Sequence, residues 1–110
     1  MTTPKPGKAV RGSRSGRPIM ALLDLLGRRW TLRIIWELRG DALSYVDLRA
    51  CCDAMSTSVL SQRLTELKDA GIITLNEGNY TLTEDGRDLL QAMLPLNDWA
   101  TRWAEREKEG

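Results

Sequence analysis

A short helix, a three-residue connection and a longer helix with marked ends, followed at once by a switch of apolar period from 3.6 to 2, predict the fold class. It is a mostly α-helical domain with a small β-hairpin, a winged helix-turn-helix. An apolar seam beyond the hairpin adds a C-terminal helix suited to dimerisation.

The centre of the pattern is residues 56–71, STSVLSQRLTELKDAG. Ser56 is an N-cap type, and Gly71 is able to take the left-handed conformation that ends a helix. Leu60, Leu64 and Leu67 form one narrow apolar stripe. The opposite face carries Ser58, Gln62 and Thr65, with Ser61 and Arg63 on its flanks and Thr57 at its start. A solvated helix face more often shows Glu and Lys. Short neutral donors and acceptors suit close approach to base edges, because Gln pairs with adenine and Ser or Thr with any base. Taken alone, the helix fits both an exposed face of low charge and a base-reading face.

The other elements follow in order. Residues 1–17 are rich in Pro, Gly and Ser and lack apolar periodicity, so they read as a disordered basic arm. Pro18 suits a first helical position, and the strongly apolar run to Leu26 ends at Gly27. Such a helix belongs in a core or an oligomer contact, with Leu22 and Leu23 as contact candidates. A second helix is expected from Arg28 to about Arg39, apolar at Leu32, Ile34, Ile35, Trp36 and Leu38. Leu43 and Ser44 fit a short extended segment. A third helix is expected from Tyr45 to about Cys52, with Val46 and Leu48 facing inward. Residues 53–55 connect it to Ser56. Residues 72–75 and 80–82 read as strands around a turn at Asn76, Glu77, Gly78 and Asn79. Thr83 caps the last helix, whose seam is Leu89, Met93, Leu96, Ala100 and Trp103. Pro95 is expected to kink it. The domain thus spans 18–104, and residues 105–110 form a charged tail expected to fray.

Composition excludes several functions. Histidine is absent, which removes most zinc sites and most acid–base catalysis at neutral pH. There is no phosphate-binding glycine loop and no catalytic constellation, so neither an enzyme nor a cofactor is expected. Adjacent Cys51 and Cys52, with no other cysteine, exclude a framework of intrachain disulfides. They read as a small apolar helix end. No apolar run approaches the ~18 residues of a membrane span, and the N-terminal one is too short for a secretion signal. A cytoplasmic protein without membrane contact is expected. The net charge of +1 hides an asymmetry. Lys5, Lys8, Arg11, Arg14 and Arg17 lie in the arm without an acid, which leaves the remainder at −4. A basic arm on a mildly acidic body suits phosphate contact, and equally a solubilising tail.

The chain resembles the HxlR-type winged-helix transcription regulators, relatives of the MarR group. The resemblance rests on LLGRRWT at 25–31 with Ile34 and Ile35, YVDLR at 45–49, Ser56, LSQRL at 60–64, Glu66-Leu67 and AGI at 70–72. It continues with YTLT at 80–83, Gly86-Arg87 and Trp99-Ala100. It implies a homodimer that binds an imperfect palindrome in double-stranded DNA, usually as a repressor. It also implies a recognition helix over 56–70, a wing over 72–82, and dimer contacts from the first and last helices. Three positions depart from the family pattern. Arg17 stands where members often carry a cysteine, so thiol sensing does not transfer. Ser44 replaces a basic residue. The wing is short, with Glu77 at its tip.

The expected base-reading set is therefore Thr57, Ser58, Ser61, Gln62 and Thr65. The phosphate set is Arg29, Arg49 and Arg63 with the five arm cations. The four tryptophans in a chain without phenylalanine are core or dimer anchors, or else line a pocket for a small, flat aromatic effector. The competing reading is a winged-helix protein-interaction module that has lost DNA binding, suggested by the acidic body, Ser44 and Glu77.

Overall fold

The computed structural model describes residues 3–6 and 17–109. Within them the order is α1 (Pro18–Leu26), α2 (Thr31–Glu37), β1 (Leu43–Ser44), α3 (Tyr45–Cys51), α4 (Thr57–Asp69), β2 (Ile73–Asn76), β3 (Asn79–Leu82) and α5 (Glu84–Glu109). The winged helix-turn-helix is present. α3 and α4 form the helix-turn-helix, and the antiparallel sheet β1-β3-β2 forms the wing.

α4 has the ends its sequence predicts. Ser56 Oγ accepts from the Val59 N–H at 3.3 Å, satisfying one donor that the first turn leaves free. At the other end Gly71 has φ +79°. The Ile72 N–H then reaches back to the Leu67 carbonyl at 2.9 Å and Gly71 N–H to that of Lys68 at 3.0 Å, a Schellman closure. Leu60, Leu64 and Leu67 are buried and join Ile34, Ile35, Leu38 and Leu48 in one core. That contact fixes which face of α4 looks outward.

The hairpin pairs Ile73 with Leu82 and Asn76 with Asn79. Glu77 and Gly78 make a two-residue loop, both at positive φ, as a type I′ turn requires. β1 pairs Leu43 with Tyr80, which ties the start of α3 to the wing. Thr83 seats α5 on the end of the preceding turn. Its Oγ1 donates to the Gly71 carbonyl at 2.6 Å and accepts from the Gly86 N–H at 2.9 Å.

Several expectations are corrected. The second helix starts at Thr31, not at Arg28. Trp30 takes a left-handed φ of +77°, so residues 28–30 are the bend between α1 and α2 rather than a first turn. Val46 is exposed. Residues two apart on a helix point about 200° apart, so Val46 and Leu48 cannot both face the core. α5 continues into the charged tail as far as Glu109. Its ends suit the helix dipole, with Glu84 and Asp85 in the first turn and Arg106 and Lys108 in the last. The same helix runs on through Pro95. Finally, residues 3–6 are not a free arm. Pro4 is buried, and Lys5 Nζ donates to the Asp69 carbonyl at 2.6 Å and lies 3.5 Å from the Asp69 carboxylate. The remaining arm expectation, including Lys8, Arg11 and Arg14, falls on residues 7–16, which lie outside the described residues.

Candidate nucleic-acid interface

Thr57, Ser58, Ser61, Gln62 and Thr65 all stand exposed on the outer face of α4. No acid interrupts the row, because Glu66 turns inward and is buried. Ser58 Oγ lies 2.9 Å from Ser56 Oγ. Thr65 Oγ1 donates back to the Ser61 carbonyl at 3.0 Å. The Gln62 amide has no hydrogen-bond partner among the described residues, so both its donor and its acceptor are available. Tyr45, which sequence reasoning placed only as the start of a helix, reaches this face. Its hydroxyl meets the Thr57 carbonyl and Ser61 Oγ, each at 3.0 Å.

The row is held by arginines that face into the protein. Arg28 is buried between Glu66 and Asp24, the latter at 3.3 Å. Arg63 donates to Glu66 and to the Arg29 carbonyl, each at 2.8 Å. One carboxylate of α4 thus binds the α1–α2 bend and its own helix together. Arg49 donates to the carbonyls of Met55 at 2.7 Å and Ala54 at 3.2 Å. Arg33 bonds the Cys51 carbonyl at 2.7 Å and approaches the Asp53 carboxylate at 3.6 Å. Asp53 and Ala54 are both left-handed, which disfavours each by ~1–2 kcal/mol. The two arginines hold that turn in place. Arg49 and Arg63, expected at phosphates, therefore serve as braces in this structure. Arg29 stays exposed, with its guanidinium 5.8 Å from the Trp30 ring. Arg17 lies at the N-cap of α1.

The wing tip is exposed at Asn76, Glu77, Gly78 and Asn79. It is short and carries one negative charge. Ser44, which replaces the basic residue of the family pattern, caps α3, its Oγ accepting from the Asp47 N–H at 3.1 Å. Cys52 is fully buried at the end of α3, and burial pushes its thiol up to about 11 despite nearby Arg33. A thiol held protonated is a poor nucleophile and metal ligand.

The seam on α5 divides in two. Leu89 and Met93 pack on the core. Leu96 and Trp103 remain 61% and 50% exposed, and Ala100 is open to solvent beside them. Trp99, absent from the expected seam, stacks on Trp103 at 5.9 Å. On α1, Leu23 is exposed while Leu22 is half-buried. A shallow apolar depression of about 280 Å³ lies between α2 and α5, lined by Leu32, Arg33, Trp36, Met93, Leu96 and Asn97. No helix among the described residues is long and apolar enough to cross a membrane.

A helix-turn-helix with an exposed polar outer face on α4 and an antiparallel wing defines a DNA-binding regulator scaffold. The HxlR-like helix-turn-helix family matches residues 25–108, and the chain belongs to that family. It is a transcriptional regulator of the HxlR type, not an enzyme. An uncharacterized HTH-type transcriptional regulator of Methanocaldococcus jannaschii is 27% identical over 90 residues, covering 78% of this chain and 85% of that protein. YvaP of Bacillus subtilis, named likewise, is 29% identical over 90 residues, covering 76% and 83%. Among solved structures, quinone-bound YodB from B. subtilis is 28% identical with a TM-score of 0.71, covering 76% of this chain and 96% of that one. A possible HxlR family transcriptional factor from Thermoplasma volcanium is also 28% identical, with a TM-score of 0.69, covering 76% and 82%.

Proposed function

We propose that the protein represses transcription by binding, as a homodimer, an imperfect palindrome in double-stranded DNA. The observation that carries this reading is the row Thr57, Ser58, Ser61, Gln62 and Thr65. It is exposed, free of carboxylates and fixed in place by the buried Arg28–Glu66 contact. In a major groove these side chains supply base-edge contacts. Arg29, Arg17 and the arm cations Lys8, Arg11 and Arg14 supply phosphate contacts. The wing contributes little, because Glu77 repels phosphate.

The exposed apolar side chains of α5 and α1 support dimerisation. Leu96, Trp99 and Trp103 on α5 and Leu23 on α1 are about half exposed or more, a grouping that marks an association surface. A small, flat effector in the depression beside Trp36 and Met93 would bear on the same surface. YodB, whose structure holds a quinone, supports that reading by similarity.

Selection of bound fragments from random DNA is expected to enrich two inverted half-sites about 10 base pairs apart, centre to centre. The alternative protein-interaction reading draws on the inward-facing Arg49 and Arg63, and failure to enrich any DNA would favour it. Light scattering is expected to give a dimer at micromolar concentration. Leu96→Asp should give a monomer with an intact fold, since leaving an uncompensated charge buried in the contact costs about 3–5 kcal/mol. Dimerisation of the variant at the wild-type concentration would remove α5 from the interface.

A further inference from the structure

A serine hydroxyl carries one proton and two lone pairs, so by itself it accepts from or donates to any base. Around Ser61 the structure removes that ambiguity. The Tyr45 hydroxyl lies 3.0 Å from the Thr57 carbonyl, which only accepts, so the phenolic proton is committed there. The same phenolic oxygen lies 3.0 Å from Ser61 Oγ. That bond needs a proton, and only Ser61 has one left to give.

We propose that Tyr45 is a positioning residue that sets the hydrogen-bond polarity of Ser61, so that Ser61 presents only lone pairs to DNA and selects an exocyclic amino group. In the major groove that group is N6 of adenine or N4 of cytosine. The corresponding edge of guanine is the O6 acceptor, and that of thymine is the O4 acceptor. An acceptor-only Ser61 therefore separates adenine from guanine on a purine, or cytosine from thymine on a pyrimidine. Thr65 has the same polarity from a different source, because its Oγ1 donates to the Ser61 carbonyl at 3.0 Å. Its preference is independent of the phenol. Gln62 remains able both to donate and to accept.

The inference rests on the reading of α4 as the recognition helix. Tyr45→Phe removes the phenolic oxygen and keeps a ring packed against the core. Ser61 then regains a rotatable proton. In selections from random DNA with the full chain, wild type is expected to require adenine or cytosine at one position in each half-site. Tyr45→Phe should relax that position to either purine or either pyrimidine, losing roughly tenfold discrimination. The other positions should hold. Ser61→Ala should lose the preference altogether, and adding Tyr45→Phe to it should change nothing more.

A thermal melt of Tyr45→Phe at the wild-type midpoint would separate this polarity effect from a change in packing. Retention of the full single-base preference by Tyr45→Phe, or an equal loss on all sequences, would overturn the inference while leaving the recognition helix in place. A wild type that enriches no sequence would overturn the recognition helix itself, and this inference with it.

Discussion

Glu66→Ala is expected to destabilise the domain by about 3–5 kcal/mol, because it leaves the charge of Arg28 buried without its main partner. Glu66 and Arg28 are 4% and 7% exposed. Asp24, at 3.3 Å from Arg28, retains part of the compensation, which places the expected value near the lower end of that range. Removing the other partner should be milder. Arg28→Met substitutes an apolar chain for a buried cation, while Glu66 keeps Arg63 at 2.8 Å. Denaturant melts at one fixed protein concentration test the asymmetry, since the proposed dimer would couple stability to concentration. Equal effects of the two substitutions would mean that Arg63 contributes nothing to holding Glu66. The same contact orients the outer face of α4, proposed to read bases, so Glu66→Ala should also weaken DNA binding by the protein that remains folded.

Gly86→Ala is the second large effect. A Cβ at this position would lie 2.0 Å from the Ile72 carbonyl oxygen and 3.3 Å from Leu82 Cβ. The first neighbour is backbone at the base of the hairpin, where Thr83 N–H also bonds the Ile72 carbonyl at 3.0 Å. Neither side moves without breaking the junction of wing and α5. Helix propensity favours Ala over Gly by about 1 kcal/mol. Overpacking on this scale opposes it by about 3 kcal/mol or more, so the net result is destabilisation by about 2 kcal/mol. At roughly 4–8 °C per kcal/mol for a domain of this size, the melting midpoint should fall by roughly 10–15 °C. An unchanged midpoint would mean that α5 does not seat on Ile72 in solution.

The parts of this structure that are legible in sequence are those set by local chemistry. The two ends of α4 depend on single residues, Ser56 and Gly71. The hairpin is marked by a change of period across Asn76 to Asn79. The outward row of α4 follows from the leucine stripe opposite it. What escaped depends on contacts between distant segments. Arg28 and Glu66 are 38 positions apart, and nothing in the spacing of either announces a buried pair. Arg49 and Arg63 are cations at positions where phosphate contact is reasonable, yet the carbonyls of a strained turn and of Arg29 take their donors. Tyr45 was legible as a helix start, but its reach to Ser61 needs the angle between α3 and α4. Trp99 stacks on Trp103 four residues on, and this spacing was open to reading. Val46 was open to it as well, since a seven-residue helix cannot turn both Val46 and Leu48 inward.

Base reading by the outer face of α4 stands or falls with Gln62, because its amide is exposed and holds no other partner among the described residues. The decisive comparison is a pair of titrations, wild type and Gln62→Ala, each on a selected operator and on random duplex at one salt concentration. The expected result is a loss of about 1–3 kcal/mol on the operator, the worth of a bidentate base contact, and little change on random DNA. Equal losses on both would assign Gln62 to the backbone, and no loss on either would contradict the placement of α4 in the groove.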